Sequence, residues 1–271
     1  MSAAPGRSQA SSHRSPEGEG IRVSLAGFTP PFASPAHLGE TLAQQGHVVL
    51  SPQGVCELTG CTEQALAALG PSWNDLPPDE YLKDGGRYRR RRHACYVVRG
   101  NEVQLAPHRA HWQPLAYNAL HGGMQRWFAP VDDAVAAQPA WRALLRWTAS
   151  VASALRGAQD WYVEAHQFRI DTTDGIGRPT PEGAHRDGVN LVAVFLVARH
   201  DVKGGETRVF QAQGPNGLRF TLAQPWSVLL LDDERVIHES TPIQPDGAQP
   251  YRDTLVLTLR ARGFQGDNDL T

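Results

Sequence analysis

The chain has 271 residues, 41% hydrophobic and 20% charged, with a formal net charge of −2. That length carries one large domain or two small ones, and the near-neutral balance excludes a general electrostatic pull toward nucleic acid or anionic membrane. No run approaches the roughly 18 apolar residues of a membrane-spanning helix.

Residues 1–20 are rich in Ser, Gly, Pro and Ala and contain no apolar stretch. They read as a disordered tail and not as a secretory signal. Residues 36–46 read as a short helix closed by Gly46, with the strand-like HVVL behind it. Thr62 is placed to cap a helix running to Gly70. Cys56, Cys61 and Cys95 are an odd, sparse set. They suit buried thiols in a reducing cytoplasm better than a disulfide framework. Arg89 to Arg92 precede a weakly alternating strand at 93–99; a solvated edge strand is the plain reading of that charge run. Alternation sends Arg89 and Arg91 one way and Arg90 and Arg92 the other, so one of them could reach a substrate carboxylate. From Pro139 to Leu155 apolar residues recur at helical spacing, with Thr148 the one polar member of the stripe.

After Asp160 strand-like runs follow one another: WYVEAHQFRI, NLVAVFLVAR, ETRVFQA, LRFTL, WSVLLLDD and RDTLVLTLRA. Turn chemistry separates several of them, at DVKGG, PNG and PDG. Short strands without crossover helices predict an antiparallel barrel or sandwich, not a parallel dinucleotide-binding sheet. The expected organisation is one domain over 21–271, in which an α/β part (21–158) packs on a β core (159–262).

Polar residues at the entrance of the apolar strand 191–197 are either a turn or a site. His185 and Asp187 are two apart, so on extended chain both project to one face. His238 follows another buried strand. In an antiparallel barrel it can return beside them. Two histidines and one carboxylate on one face are the facial set that holds Fe(II) with three positions open. Arg252 heads the last strand, where a guanidinium can clamp the far end of a dicarboxylate that chelates the metal. Thr254 faces the same way and can add a hydroxyl bond. Tyr162, Glu164, His166 and Phe168 share one face of their strand; Gln167 and Arg169 share the other. Gln167 is a candidate contact to the cosubstrate. Asp232 and Asp233 stand close before His238, as groups that orient a ligand or as a strand-end turn.

These residues carry a resemblance. His185, Asp187, His238 and Arg252, with PEGAHRDG, VKGGETRVF, LLLDDERVIHESTPI and YRDTLVLT, resemble the iron- and 2-oxoglutarate-dependent dioxygenases. Those enzymes have a double-stranded β-helix, or jelly-roll, fold. More narrowly, the segments are similar to the bacterial group of the free L-isoleucine dioxygenase and the BsmA-like proteins. The resemblance implies a mainly β fold with peripheral helices. It implies Fe(II) on His185, Asp187 and His238, 2-oxoglutarate on Arg252, and dioxygen as cosubstrate. It further implies hydroxylation of a free amino acid or similar small molecule, releasing succinate and CO2. Asp187 argues for hydroxylation, since halogenases of this fold replace that carboxylate with a small residue. The mixed aromatic and polar segment 111–131, with Gln113, Asn118 and Arg126, is similar to the substrate side of the amino-acid dioxygenases. The alternatives are a protein or nucleic-acid hydroxylase of the same fold, or a non-catalytic cupin-like binding protein. Substrate identity and oligomeric state stay open, a homodimer among the choices.

Overall fold

The computed structural model describes residue 1, residues 29–214 and residues 216–267. Apart from Met1, the tail expected at residues 1–20 lies outside the described residues. A 3₁₀ turn, Pro35–His37, leads to α1 (Leu38–Gln45), β1 (His47–Leu50), α2 (Pro52–Thr59) and α3 (Glu63–Ala67). A second 3₁₀ turn, Gly70–Asp75, precedes β2 (Arg89–Arg99), β3 (Glu102–Leu105), α4 (Asp133–Ala136) and α5 (Pro139–Arg156). Strands alone follow: β4 (Trp161–Asp171), β5 (Leu191–His200), β6 (Val202–Gly204), β7 (Thr207–Gln211), β8 (Gly217–Phe220) and β9 (Val228–Asp232). The last are β10 (Val236–Ser240), β11 (Ile243–Pro245) and β12 (Tyr251–Arg260).

Every strand pairing is antiparallel. The large sheet runs β1-β9-β5-β12-β4-β2-β3, and two small sheets run β10-β7-β8 and β11-β6. This is the expected antiparallel, mainly β jelly roll. The large sheet does not stop at the boundary expected near residue 158, because β1, β2 and β3 extend it at both edges.

Alternation divides the large sheet into two faces with different work. Val163 and Ala165 of β4, Leu191, Ala193 and Phe195 of β5, and Leu255, Leu257 and Leu259 of β12 pack with α5 in the main core. On the opposite face, Val192 and Leu196 of β5 meet Val209 and Phe220 of the small sheet. His166 and Phe168 of β4 and Arg252, Thr254 and Val256 of β12 open on that side into a cavity. The helix layer therefore braces one face so that the other can carry polar groups.

α5 buries Trp141, Leu144, Leu145, Thr148, Val151 and Ala152, and its stripe is wider than the sequence implies, since Trp147 and Ala149 are buried too. The Thr148 hydroxyl donates to the Leu144 carbonyl at 2.9 Å, so the polar member of the stripe costs little. Gly46 closes α1 at φ 75°, as expected. The Thr62 hydroxyl accepts from the Ala65 N–H at 3.1 Å, but α3 ends at Ala67. The chain then tightens into the 3₁₀ turn Gly70–Asp75, and Pro71 has no N–H to give the Ala67 carbonyl, so the α-helix does not continue. Cys95 is buried and Cys56 and Cys61 half-buried, all three free.

The arginine run is not a solvated edge. β2 pairs with β4 from Arg89 to Val98, and bridges from Pro78 to Arg90 and from His93 to Pro130 cover its other side. Arg89 and Arg91 are 5% and 3% exposed. Their burial is compensated by Asp79, whose carboxylate lies 2.7 Å from Arg89 Nε and 3.8 Å from Arg91. Burial alone would raise the Asp79 pKa; the two guanidinium groups bring it below the ordinary carboxylate value.

Candidate active site

The site begins with one β-bridge. His185 and His238 exchange both backbone hydrogen bonds, each at 3.0 Å, which sets their rings side by side with centroids 4.6 Å apart. Asp187, two residues on, comes to the same face. Its carboxylate oxygens lie 3.9 Å from His185 Nε2 and 3.8 Å from His238 Nε2. None of these ligand atoms is hydrogen-bonded to another, and the space between them suits an ion.

The surrounding bonds orient the set. His185 Nδ1–H donates to the Gly183 carbonyl at 2.9 Å, which leaves the Nε2 lone pair for a metal. Asp233, fully buried, accepts from the N–H groups of Asp187, Gly188 and Val189 at 3.0, 2.8 and 3.1 Å. It is the group that shapes the loop carrying Asp187. Asp232 instead pairs with Arg156. The Gln265 amide donates to the Asp187 carbonyl at 2.7 Å, and the Gln113 amide to the Asp187 carboxylate at 3.3 Å. Gly188 has φ 75°, and a Cβ there would stand 2.5 Å from the Tyr117 ring, so the loop needs glycine.

Burial raises the Asp187 pKa to about 7, with the negative charges of Asp233 and Glu182 adding to it against His185. Burial would lower the His185 pKa, but Asp187 and Glu182 raise it on balance. Both shifts report a buried acidic pocket short of positive charge, the electrostatic demand that a divalent cation meets.

The triad, Arg252 and Thr254 line one cavity of ≈ 120 Å³ that opens to solvent. Arg252 is 3% exposed, and its Nε and one terminal nitrogen are buried without a partner. Burial lowers its pKa to about 10, with Arg199 adding to the effect. A buried guanidinium with donors unused is matched by a carboxylate. Thr254 is on the same face and buried.

Gln167 is a correction. It lies on the other face of β4, fully buried, and donates to the Ser72 hydroxyl at 2.8 Å beneath the helix layer. The i, i+2 alternation that takes His166 into the cavity takes Gln167 away from it.

A family model for 2OG-Fe dioxygenases matches residues 70–258. The chain belongs to the 2OG-Fe dioxygenase family. The solved structure of a bsmA homolog from Methylobium petroleophilum PM1 is 52% identical, with a TM-score of 0.83 over 88% of this chain and 97% of that one. At 17% identity, IDO from Bacillus thuringiensis shares the fold, with a TM-score of 0.68 over 85% of this chain and 97% of its own. TqaL, an Fe(II)/α-ketoglutarate-dependent dioxygenase, does so at 18% identity and a TM-score of 0.65, over 86% and 89%. No curated protein matches the chain.

This dioxygenase is an oxidoreductase whose family uses Fe(II) and 2-oxoglutarate, and its residues fit both. The unbonded His185–Asp187–His238 set suits the metal; the unpaired Arg252 guanidinium suits the cosubstrate's distal carboxylate. The dioxygenase also contains a second cluster that sequence reasoning did not assemble: His93, His111, Glu164 and His166, all buried. His93 Nε2–H and His111 Nδ1–H both donate to Glu164 Oε2, at 2.8 and 2.7 Å. Arg91 donates to His166 Nδ1 at 2.7 Å, which places the remaining ring proton on Nε2, the nitrogen facing Glu164. The nitrogens that a metal would need therefore carry protons, and the cluster is a hydrogen-bonded network. Burial would raise the Glu164 pKa, but His111 and His93 bring it well below the ordinary value. The placement of Glu164 and His166 on one face was legible from alternation. Asp79, His93 and His111 gave no such signal, because distant segments bring them in.

Proposed function

We propose that this dioxygenase hydroxylates a free amino acid or a similar small molecule. Substrate C–H, 2-oxoglutarate and O2 would yield C–OH, succinate and CO2. One observation carries the reading: one cavity holds the candidate metal triad and, within it, the unpaired Arg252. Bound Fe(II) and 2-oxoglutarate supply oxygen activation and the oxidative decarboxylation of the cosubstrate. The chain's own part is positioning. His185, Asp187 and His238 would hold the metal by one face and leave the other for reactants. Arg252 would hold the cosubstrate's far carboxylate, and Thr254 stands beside it. Val189, Val194 and Val256 give the cavity apolar lining.

The burial of His238 and Arg252 inside the cavity favours a small molecule over a folded protein segment or a duplex as substrate. A cupin-like binding protein has no need of open metal positions. Three free cysteines support a cytoplasmic setting, and among the described residues no helix is long and apolar enough to cross a membrane. The test is succinate release by purified enzyme with Fe(II), 2-oxoglutarate and air across the free amino acids, with His185→Ala as control. One amino acid raising succinate above the uncoupled background supports the reading. No response to any, in protein that binds iron and 2-oxoglutarate, moves the substrate to another class.

A further inference from the structure

Three arginines line the cavity from the first half of the chain, and among the described residues Arg126 is the one of the three with no carboxylate within ion-pair distance. Arg89 is paired with Asp79 at 2.7 Å. Arg91 lies 3.8 Å from the same carboxylate, donates to His166, and is stacked between Phe128 and Phe168 at 3.7 and 4.4 Å. Arg126 is 2% exposed and gives one side-chain bond, to Gln113 Oε1 at 2.9 Å. Its Nε is buried without a partner. Among the described residues no carboxylate lies within salt-bridge distance of it. A guanidinium left this way is costly to bury unless a ligand brings the anion.

The same cavity holds the opposite case. Glu182 has Oε2 buried without a partner, and Oε1 stands 3.6 Å from His185 Nε2. No Lys or Arg is paired with it among the described residues. Glu182 and Arg126 are close enough for the carboxylate to oppose the burial that brings the Arg126 pKa down to about 10. They still make no ion pair. One positive and one negative group thus face a shared space, each short of a partner, with a gap between them.

We propose that Arg126 and Glu182 form a zwitterion receptor, in which Arg126 takes the α-carboxylate and Glu182 the α-ammonium group of the substrate amino acid. The inference rests on the amino-acid reading above and deepens it. Gln113 links the anchor to the metal end, since its amide accepts from Arg126 and donates to Asp187. A carboxylate on Arg126 is therefore one side-chain amide away from a metal ligand. The amino acid's own side chain would then extend along the metal face. Arg252 remains free for the cosubstrate, so the two carboxylates do not compete. A residue inside a peptide has neither free charge, so this receptor selects free amino acids over the same residue in a protein.

The experiment uses the amino acid that drives succinate release, its carboxamide, and its 2-hydroxy acid analogue. For each, kcat/KM is measured in wild type, Arg126→Gln, Arg126→Lys and Glu182→Gln. Wild type should prefer the amino acid over its amide by about 100-fold or more, the discrimination expected when a buried charge loses its partner. In Arg126→Gln that preference should collapse to within about threefold, chiefly through KM. The ratio does not depend on how much of a variant is folded. In Glu182→Gln the preference for the amino acid over the hydroxy acid should collapse instead. Calorimetric titration of the Fe(II)- and 2-oxoglutarate-loaded enzyme without oxygen should show the same loss of affinity. If wild type accepts the amide as well as the acid, the inference falls even should every variant precipitate. It also falls if Arg126→Gln keeps the preference, or loses acid and amide equally. If no free amino acid drives succinate release, the substrate reading itself has failed.

Discussion

His185 offers Nε2 to a metal because its other nitrogen is committed to the Gly183 carbonyl. Asp187 reaches the same point because Asp233 collects the three N–H groups of the loop behind it. Asp187→Ala should abolish substrate-driven succinate release and cut bound iron, measured as metal content after dialysis; full retention of either would remove Asp187 from the ligand set. Arg252→Ala should raise the 2-oxoglutarate concentration for half-maximal turnover about 100-fold while iron content changes little, since a buried charged bond is worth about 2–5 kcal/mol. An unchanged requirement would place the clamp elsewhere. His111 supplies a pH test. Burial drives its pKa down to about 3 from the ordinary 6.5, against the pull of Glu164. The unfolded chain takes a proton there below pH 6.5 and the folded protein does not, so this group lowers stability as pH falls, by about 1.4 kcal/mol per unit. His111→Asn keeps a donor toward Glu164 and removes that titration. The stability gap between wild type and variant, from urea unfolding, should be widest above pH 6.5 and about 2 kcal/mol narrower at pH 5. A gap constant with pH would mean that His111 titrates normally.

At the scale of elements, period-two alternation in β4 and β12 assigns each side chain to the braced face or the cavity face. Leu257 is fully buried between its strand neighbours and the helix layer, one residue from Val256 on the cavity wall. Leu257→Ala should cost about 2–5 kcal/mol in urea unfolding, yet leave the KM for 2-oxoglutarate near wild type, because Arg252 and Thr254 hang from the other face. A changed KM with little loss of stability would contradict that division of faces. Alternation in the sequence put His166 and Gln167 on opposite faces, but it did not say which face met the helices. Gln167 was therefore a reasonable candidate and the wrong one. β2 shows the opposite limit. Four consecutive arginines look like a solvated edge until Asp79, Phe128 and Phe168 are seen around Arg89 and Arg91.

At the scale of the whole molecule, a seven-stranded sheet carries helices on one side and, with the small sheets, encloses a charged cavity on the other. The sequence by itself determined the antiparallel class and put His185, Asp187, His238 and Arg252 forward as candidates, whose roles the family resemblance supplied. Those follow from local facts: turn residues between short strands, two residues on one face of extended chain, and apolar strands that must be buried. The tertiary structure alone decided which charges go unpaired. Whether a buried arginine is spent or free depends on which carboxylates the fold brings to it: Asp79 meets Arg89, whereas no carboxylate among the described residues pairs with Arg126. It also turned His93, His111, Glu164 and His166 into one network from three separate segments. Pairing energies fall off within a few ångströms, and sequence separation says almost nothing about ångströms once the chain has folded back on itself.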